Sequence, residues 1–424
     1  MRREEDIAGK LDWVAVLLYI VMVGMGWLNI YAAVYDESVN QTIWDLSLNS
    51  GRQLIFIAAS FIIILIIVII DVRFYETFAY LFFGIILFVL ILVPFIGKEV
   101  GGNKAWLGVG SFGVQPSEFA KFITAMAVAR FIGSVGFRMD YFRNQFILFA
   151  MIGIPMALIL LQKDTGTALV FTSFVLVFYR EGLSPFILVV GIFAVVIFIL
   201  TLLIPNQLYL HGAIALVLIA LIVFGKRKLS GIVILTIGAL LISGVIESVD
   251  YVITDVLKPH QQNRIKALIN PDADPLGYGW NVTQSKIALG SGGFVGKGFL
   301  EGTQTKFDFV PEQSTDFIFC TIGEEHGWIG SLLVIAIFVT LLLRVIFIAE
   351  RQKSRFARAY GYSVASIFFF HFTVNIGMTI GLFPVIGIPL PFFSYGGSSL
   401  WGFTILLFVL LKLDAHRSQM LQRV

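Results

Sequence analysis

GYGWNVTQSKIALGSGGFVGKGFLEGTQTKFDFVPEQSTDFIFCTIGEE, residues Gly277 to Glu325, is the one long polar, glycine-rich segment in a chain that is otherwise almost wholly apolar. Across the 424 residues, 58% are hydrophobic and 13% are charged. That is about half the charge of a soluble globular domain. A hydrocarbon core of about 30 Å takes roughly 20 apolar residues per helix, because every backbone amide must find its partner inside the segment. Runs of that length recur along the chain, so the composition implies an all-α polytopic membrane protein. The polar stretch is then a loop that the spans hold in place.

Working outward from the loop, the apolar runs predict about twelve transmembrane helices, at Trp13–Val34, Leu54–Ile70, Phe78–Ile96, Ser117–Gly133, Phe146–Leu161, Thr167–Tyr179, Phe186–Ile204, Leu208–Phe224, Leu229–Val249, Phe317–Ile346, Gly361–Phe383 and Ser398–Leu413. The first run is too long for a signal-peptide core and lacks a small-residue cleavage site, so it stays as an anchor. Connections after even-numbered spans carry Arg73, Arg138, Arg143, Arg180, Lys226, Arg227, Lys228, Arg351, Lys353, Arg355 and Arg358, and both termini are basic as well. The positive-inside rule makes these faces and both termini cytoplasmic. Residues 250–316 then form a large extracytoplasmic loop before the last three spans, within a single transmembrane domain covering 1–424. The only cysteine, Cys320, excludes an intrachain disulfide, and a net charge of +3 gives no case for nucleic acid.

Within the loop, Pro311-Glu312-Gln313-Ser314-Thr315-Asp316-Phe317 reads as a turn leading into a helix. Ser314 or Thr315 can cap that helix, which places Asp316 in its first turn, where the amide dipoles favour a carboxylate. Asp316 is then either a helix-end device or, half-withdrawn from water, a general base for a hydroxyl nucleophile. Glu118 and Lys121 are three residues apart on one helical face at the membrane edge. They are either functional ionisable groups or a self-satisfied pair that packs helices. Arg52 reads as an interfacial anchor or a functional cation, and Asp164 as a turn-forming or functional acid. Gly290-Ser291-Gly292-Gly293 and Gly296-Lys297-Gly298 could cradle a phosphate, or could be glycines that let the loop pack on the bilayer surface. The order of a nucleotide-binding loop is absent. Glu324-Glu325-His326 resembles a metal cluster only superficially, because neighbouring helical positions point in different directions, so no metal-ligand set is assigned. The stretch from Phe383 to Ser399 is non-helical backbone between two spans, tolerated at membrane depth only against protein or a water-filled cavity.

Taken together, these motifs resemble the SEDS family, the shape, elongation, division and sporulation proteins, and its elongation-type members more than its division-type members. The resemblance runs through Arg52-Gln53, Trp106, Gln115-Pro116-Ser117-Glu118 with Lys121, Asp164-Thr165-Gly166-Thr167-Ala168, Gln261 with Arg264-Ile265, Gln284 to Glu325, and Gly387 to Ser399. Gly296-Lys297-Gly298 followed by Gly302-Thr303-Gln304 gives the elongation-type character. It implies a peptidoglycan glycosyltransferase that polymerises lipid II, an undecaprenyl-diphosphate-linked disaccharide-pentapeptide, on the outer face of the bacterial cytoplasmic membrane. A class B penicillin-binding protein, a transpeptidase, is the partner it implies. The family's essential aspartate falls on Asp316 and its intramembrane acid and base on Glu118 and Lys121. Substrate and diphosphate contacts fall on Arg52, Trp106, Asp164, Arg264, Gln284, Ser285, Lys286, Lys297, Glu312, Thr315, Ser394 and Ser398.

This chemistry needs a base for the acceptor sugar's 4-hydroxyl and positive charge for the departing diphosphate. Asp316 can supply the first, and Arg52, Lys121, Lys286 and Lys297 the second. A divalent cation, Mg or Mn, on the phosphates is the only cofactor candidate. The chain departs from the family pattern at Lys163 and Ser314, and the region 205–249 carries two spans beyond the usual ten, a two-helix insertion. A flippase of lipid-linked precursors is the alternative, since many spans, polar intramembrane residues and broken helices fit it too. A flippase should string its charges along a path through the membrane, whereas here they concentrate on one face.

Overall fold

The computed structural model describes residues 7–35, 42–100, 103–109, 112–204, 206–225, 229–251, 262, 279–307 and 309–417. Its principal helices are α1 (Trp13–Val34), α2 (Asn49–Ile69), α3 (Ala79–Ile96), α4 (Pro116–Ile132), α5 (Phe142–Leu161), α6 (Thr165–Val170), α7 (Phe174–Arg180), α8 (Pro185–Leu203), α9 (Gln207–Phe224), α10 (Leu229–Tyr251), α11 (Trp280–Ser291), α12 (Ile318–Glu350), α13 (Arg355–Thr379) and α14 (Gly397–Ala415). The protein is a polytopic all-α membrane protein. Among the described residues, eight helices are long and apolar enough to cross a bilayer: α1, α2, α3, α5, α9, most of α10, α12 and α14. Of the other four expected spans, Phe186–Ile204 corresponds to the 19-residue helix α8, and three differ for physical reasons. Helix α4 has only 17 residues, and a 3-10 turn at Phe171–Ser173 separates α6 from α7. Helix α13 carries buried Ser363, Ser366, His371 and Asn375.

The chain divides into two compact units, one formed by Met1–Leu183 with Asn281–Val424 and the other by Ser184–Trp280. In the second, α8 and α9 each pack on α10. Buried Ile197, Leu210 and Ile246 meet at its centre, and His211 Nε2 lies 3.1 Å from Glu247 Oε1. The expected insertion at 205–249 corresponds to α9 and α10, which share this unit with α8.

In the larger unit α4 packs against α3, α5, α13 and α14, so the more polar helices lie inside and the apolar ones face outward. Lipid tails are as apolar as leucine, so this order reflects small residues and polar groups more than a hydrophobic drive. Gly26 shows how close the approach is: a Cβ there would stand 2.6 Å from the Phe392 carbonyl oxygen. A feature absent from the expected all-α pattern is a three-stranded antiparallel sheet, β1 (Lys98–Val100), β2 (Asn103–Val109) and β3 (Phe112–Val114), paired in chain order.

Helix α12 is broken at Gly327, whose φ of 64° and ψ of −158° are non-helical. The break frees backbone groups that water cannot reach. The glycine-rich loop takes them up. Lys297 N donates to the Glu324 carbonyl and Gly298 N to the Glu325 carbonyl, both at 3.0 Å, while Trp328 N and Ile329 N donate to the Gly293 and Phe294 carbonyls at 3.0 and 3.2 Å. A Cβ on Gly327 would lie 2.3 Å from Gly296 N, and one on Gly296, itself at φ +85°, would lie 2.1 Å from the Glu325 carbonyl oxygen. The stretch from Trp328 to Glu350, ~35 Å at 1.5 Å per residue, is enough to span a ~30 Å core by itself. Gly327→Ala should therefore lower the melting temperature of the purified protein, whereas Gly153→Ala, with open space around its Cβ position, should leave it unchanged. Equal melting of the two variants would contradict the backbone splice.

Where α1 begins and α12 and α14 end, two acids gather three arginines. Asp12 caps α1 through the Ala15 amide at 3.2 Å and accepts from Arg344 Nη2 at 2.8 Å and Arg351 Nη2 at 2.9 Å. Asp414 accepts from Arg351, and from Arg417 Nη1 at 3.1 Å. Burial pushes the Asp12 carboxyl up, but the Arg344 and Ala15 hydrogen bonds and the charges of Arg344 and Arg351 outweigh it and hold the group below the ordinary 3.8. A depressed carboxylate stabilises the fold above its unfolded value and ceases to do so as pH falls through the folded one. Asp12→Asn should thus cost about 1–3 kcal/mol near neutral pH. Its melting difference from the parent should start to narrow below about pH 4 and keep narrowing as the pH falls further; a gap that does not shrink in acid would refute the assignment.

Candidate active site

Asp316 stands two residues ahead of α12, whose N-cap is Phe317 and whose first turn holds no acid. The sequence expectation of a first-turn position is corrected here, and the cause is one carbonyl. Glu312, at φ 54°, accepts from the amides of Thr315, Asp316 and Phe317 at 3.1, 3.1 and 3.2 Å, closing a turn before the helix starts. Thr315 accordingly caps nothing, and its hydroxyl donates to Glu312 Oε2 at 2.9 Å.

The turn is fixed from several sides. Gln313 Nε2 donates to the Ala33 and Thr305 carbonyls at 2.6 and 2.8 Å. Ser314 Oγ accepts from Asn49 Nδ2 at 3.1 Å, and its carbonyl accepts from Tyr395 N at 2.8 Å. Asn375 Nδ2 donates to the Asp316 carbonyl at 2.8 Å and to the Ile388 carbonyl at 2.7 Å. The half-buried Asp316 carboxylate lies against Gly387, where a Cβ would stand 3.2 Å from Oδ2. Glycine at φ +69° makes the room.

Deeper in the unit, Lys121 Nζ lies 2.9 Å from both Glu118 carboxylate oxygens and 3.0 Å from His371 Nε2. The Phe403 ring sits 4.8 Å away, and all three ionisable side chains are buried. His371 Nδ1 is 3.0 Å from the Pro389 carbonyl, which can only accept, so Nδ1 carries the proton and Nε2 turns its lone pair to the ammonium. The pair read from sequence is a triad. His371 and Asn375 are four apart on one face of α13 and bind adjacent carbonyls, those of Pro389 and Ile388. Through them the intramembrane cluster and the Asp316 turn share one support. His371 was detectable in principle as an ionisable residue in an apolar run, but its partner lies 250 positions away.

The remaining sequence candidates sort by their partners. Asp164 is buried and accepts from Gln115 Nε2 at 2.7 Å, Ser117 Oγ at 3.3 Å and Thr167 N at 3.1 Å, so it organises the starts of α4 and α6. Ser398 Oγ accepts from Gln115 N at 3.0 Å, and Ser394 Oγ from Leu390 N at 2.8 Å. Ser285 Oγ donates to the Thr379 carbonyl at 2.9 Å, and Gln284 is buried beside it on α11. Trp106 lies on β2, half-buried beside Gly113. Exposed Arg52, on the first turn of α2, donates through Nε to the Leu46 carbonyl at 3.1 Å. Exposed Lys286 runs its side-chain end along Gly381. Arg264 lies outside the described residues.

Lys297 Nζ is 2.7 Å from Oε1 of fully buried Glu324. That carboxylate also accepts from the amides of Thr303, Gln304 and Thr305 at 2.8, 2.9 and 3.0 Å. The loop glycines press on α12 as closely: a Cβ on Gly292 would meet the Gly323 carbonyl oxygen at 2.0 Å. Lys297 and these glycines thus build the loop onto α12, a packing partner that the local spacing did not indicate. Among the described residues, no three histidine, cysteine, aspartate or glutamate side chains gather to hold a metal.

The family model described as cell cycle protein, of FtsW, RodA and SpoVE, matches residues 12–212 and 185–419. The chain is 33% identical to the peptidoglycan glycosyltransferase RodA of Treponema pallidum (strain Nichols), covering 96% of this chain and 98% of that protein. It is 32% identical to the peptidoglycan glycosyltransferase MrdB of Escherichia coli (strain K12), over 88% and 87%. A solved structure described as the structural coordination of polymerization and crosslinking by a peptidoglycan synthase complex shares the fold at a TM-score of 0.71 and 24% identity, over 96% of this chain and 99% of that one. The rod shape determining protein RodA of Thermus thermophilus does so at 0.61 and 23%, over 96% and 97%. With the Asp316 turn, the buried triad and matches of this length in agreement, the chain belongs to the FtsW, RodA and SpoVE family of cell cycle proteins.

Proposed function

We propose that this protein is a peptidoglycan glycosyltransferase of cell elongation that polymerises lipid II into glycan strands, with Asp316 as general base. The observation that carries the reading is the placement of Asp316, a half-buried carboxylate on a turn bonded to α1, α2, α13 and the irregular stretch before α14. A base so held can take the proton of the acceptor 4-hydroxyl as its oxygen attacks the donor's anomeric carbon and the lipid diphosphate departs. Exposed Arg52 and Lys286 are the cations for the departing charge. Lys121, enclosed by Glu118, His371 and Phe403, acts by positioning the stretch that carries Gly387 to Pro389.

The distribution of basic residues supports an orientation with both termini and the Asp12 cluster cytoplasmic and the Asp316 loop outside. The relative titled as a synthase complex that coordinates polymerization and crosslinking supports a transpeptidase partner, and a class B penicillin-binding protein is the one proposed here.

Asp316→Asn should reduce polymer from fluorescent lipid II, assayed on gels with a class B penicillin-binding protein, by about 10²–10⁴-fold without changing yield or melting. A persisting ladder would exclude the base. Translocation in liposomes with no ladder from the parent protein would instead mean a flippase.

The buried triad gives a second test. Lys121→Met leaves Glu118 buried without its counter-charge and should destabilise markedly, whereas Glu118→Gln with Lys121→Met together should melt close to the parent. That double variant should still polymerise poorly; full activity would reduce the cluster to packing.

A further inference from the structure

We propose that the cavity at the cytoplasmic end of α1, α12 and α14 binds the phosphate headgroup of an anionic membrane phospholipid. The cavity has a volume of about 570 Å³ and is lined by Gly9 to Val14 together with Arg344, Arg351, Asp414, Ala415 and Arg417. Its lining carries four cations, Lys10, Arg344, Arg351 and Arg417, against two acids, Asp12 and Asp414. The acids are buried and fully engaged, so they aim the guanidinium groups while offsetting only part of their charge. Among the described residues, Arg344 Nη1, Arg351 Nη1 and Arg417 Nη2 meet no acceptor. Planar donors left over from a carboxylate pair suit phosphate oxygens.

The dipoles of the adjoining helix ends divide. The start of α1 favours an anion, and the C-terminal ends of α12 and α14 oppose one with about half a charge each. Three arginines against two acids leave a full positive charge beside the helix ends, and their unbonded N–H edges supply directed donors as well. Position argues for a lipid over a free ion. Trp13, 59% exposed at the cavity's edge, is the kind of side chain that settles at headgroup depth. Exposed Val14, Leu17, Ile20 and Val21 continue from it along α1 as an apolar surface for acyl chains. Basic recesses between spans on the cytoplasmic side have this headgroup chemistry. The site is separate from Asp316, which precedes the opposite end of α12 and is not among the residues that line the cavity.

The test uses the purified full-length chain in detergent. Melting and native mass spectra are recorded with phosphatidylglycerol, with phosphatidylcholine and with inorganic phosphate. Phosphatidylglycerol should stabilise and be retained; phosphatidylcholine should not. Arg417→Gln and Lys10→Gln should each weaken phosphatidylglycerol binding by about 5-fold. Arg138→Gln, an exposed cation away from the cavity, should not. Lys10→Gln keeps every arginine–aspartate pair and so reports even if Arg417→Gln fails to fold. Equal effects of the two lipids, or unchanged binding in both cavity variants, would overturn the proposal. Inorganic phosphate alone reproducing the whole stabilisation would overturn the lipid as the source.

Discussion

A helix that breaks where its backbone is buried must hand its backbone groups to something other than water, and the rest of this architecture follows from how α12 meets that demand at Gly327. The partners are the amides and carbonyls of the loop from Gly293 to Gly298, reached only because Gly296 and Gly327 have no side chains to separate the two backbones. Fully buried Glu324 completes the junction, since its carboxylate takes a lysine and three amides of the same loop. A buried carboxylate with that many donors is a strong organiser, and its loss would leave all of them unpaired. The polar island that interrupts the apolar chain is therefore tied to the membrane scaffold along its backbone.

Helix α13 provides the second constraint. Its length is ordinary, but one face carries His371 and Asn375, each of which grips a carbonyl of a stretch that cannot form a helix. That stretch supplies Gly387 to the Asp316 carboxylate, while His371 completes the shell around Lys121. A displacement of α13 would disturb both groups at once. This gives a physical reason for an ion pair deep in the unit to influence a carboxylate on a surface turn without touching it.

The scaffold was legible in the sequence because lipid imposes a simple rule: apolar runs of sufficient length become spans, and Glu118 and Lys121 three apart must share a face. The site was legible only where local spacing determines contact. Asp316 in the first turn of a helix is a sound local expectation, and it fails because the Glu312 carbonyl captures three amides that a helix would otherwise use. The Gly-Lys-Gly motif suggests an anion cradle because backbone approach to phosphate and backbone approach to another helix ask for the same residue; its contact with Glu324, more than twenty positions away, depends on tertiary packing that local spacing does not encode. His371 beside Lys121 depends on tertiary packing, which periodicity does not encode.

The break also separates two tasks that one helix would otherwise force together. A continuous α12 of 33 residues, ~50 Å long, would exceed a ~30 Å hydrocarbon core, and the orientation of its first turns would be set by the span below. With the break, Trp328 begins the membrane segment, exposed and stacked on Phe294 at 5.5 Å. The residues before Gly327 answer instead to the loop and to Glu324. The direction of the Asp316 turn is thus decided by packing above the membrane, while the arginines at the far end of the same helix, Arg344 and Arg351, answer to Asp12 and Asp414. Tilt of the span in the bilayer need not move the carboxylate. For a polymerase that works on a substrate anchored in the same bilayer, that independence holds the geometry of the turn while the membrane fluctuates.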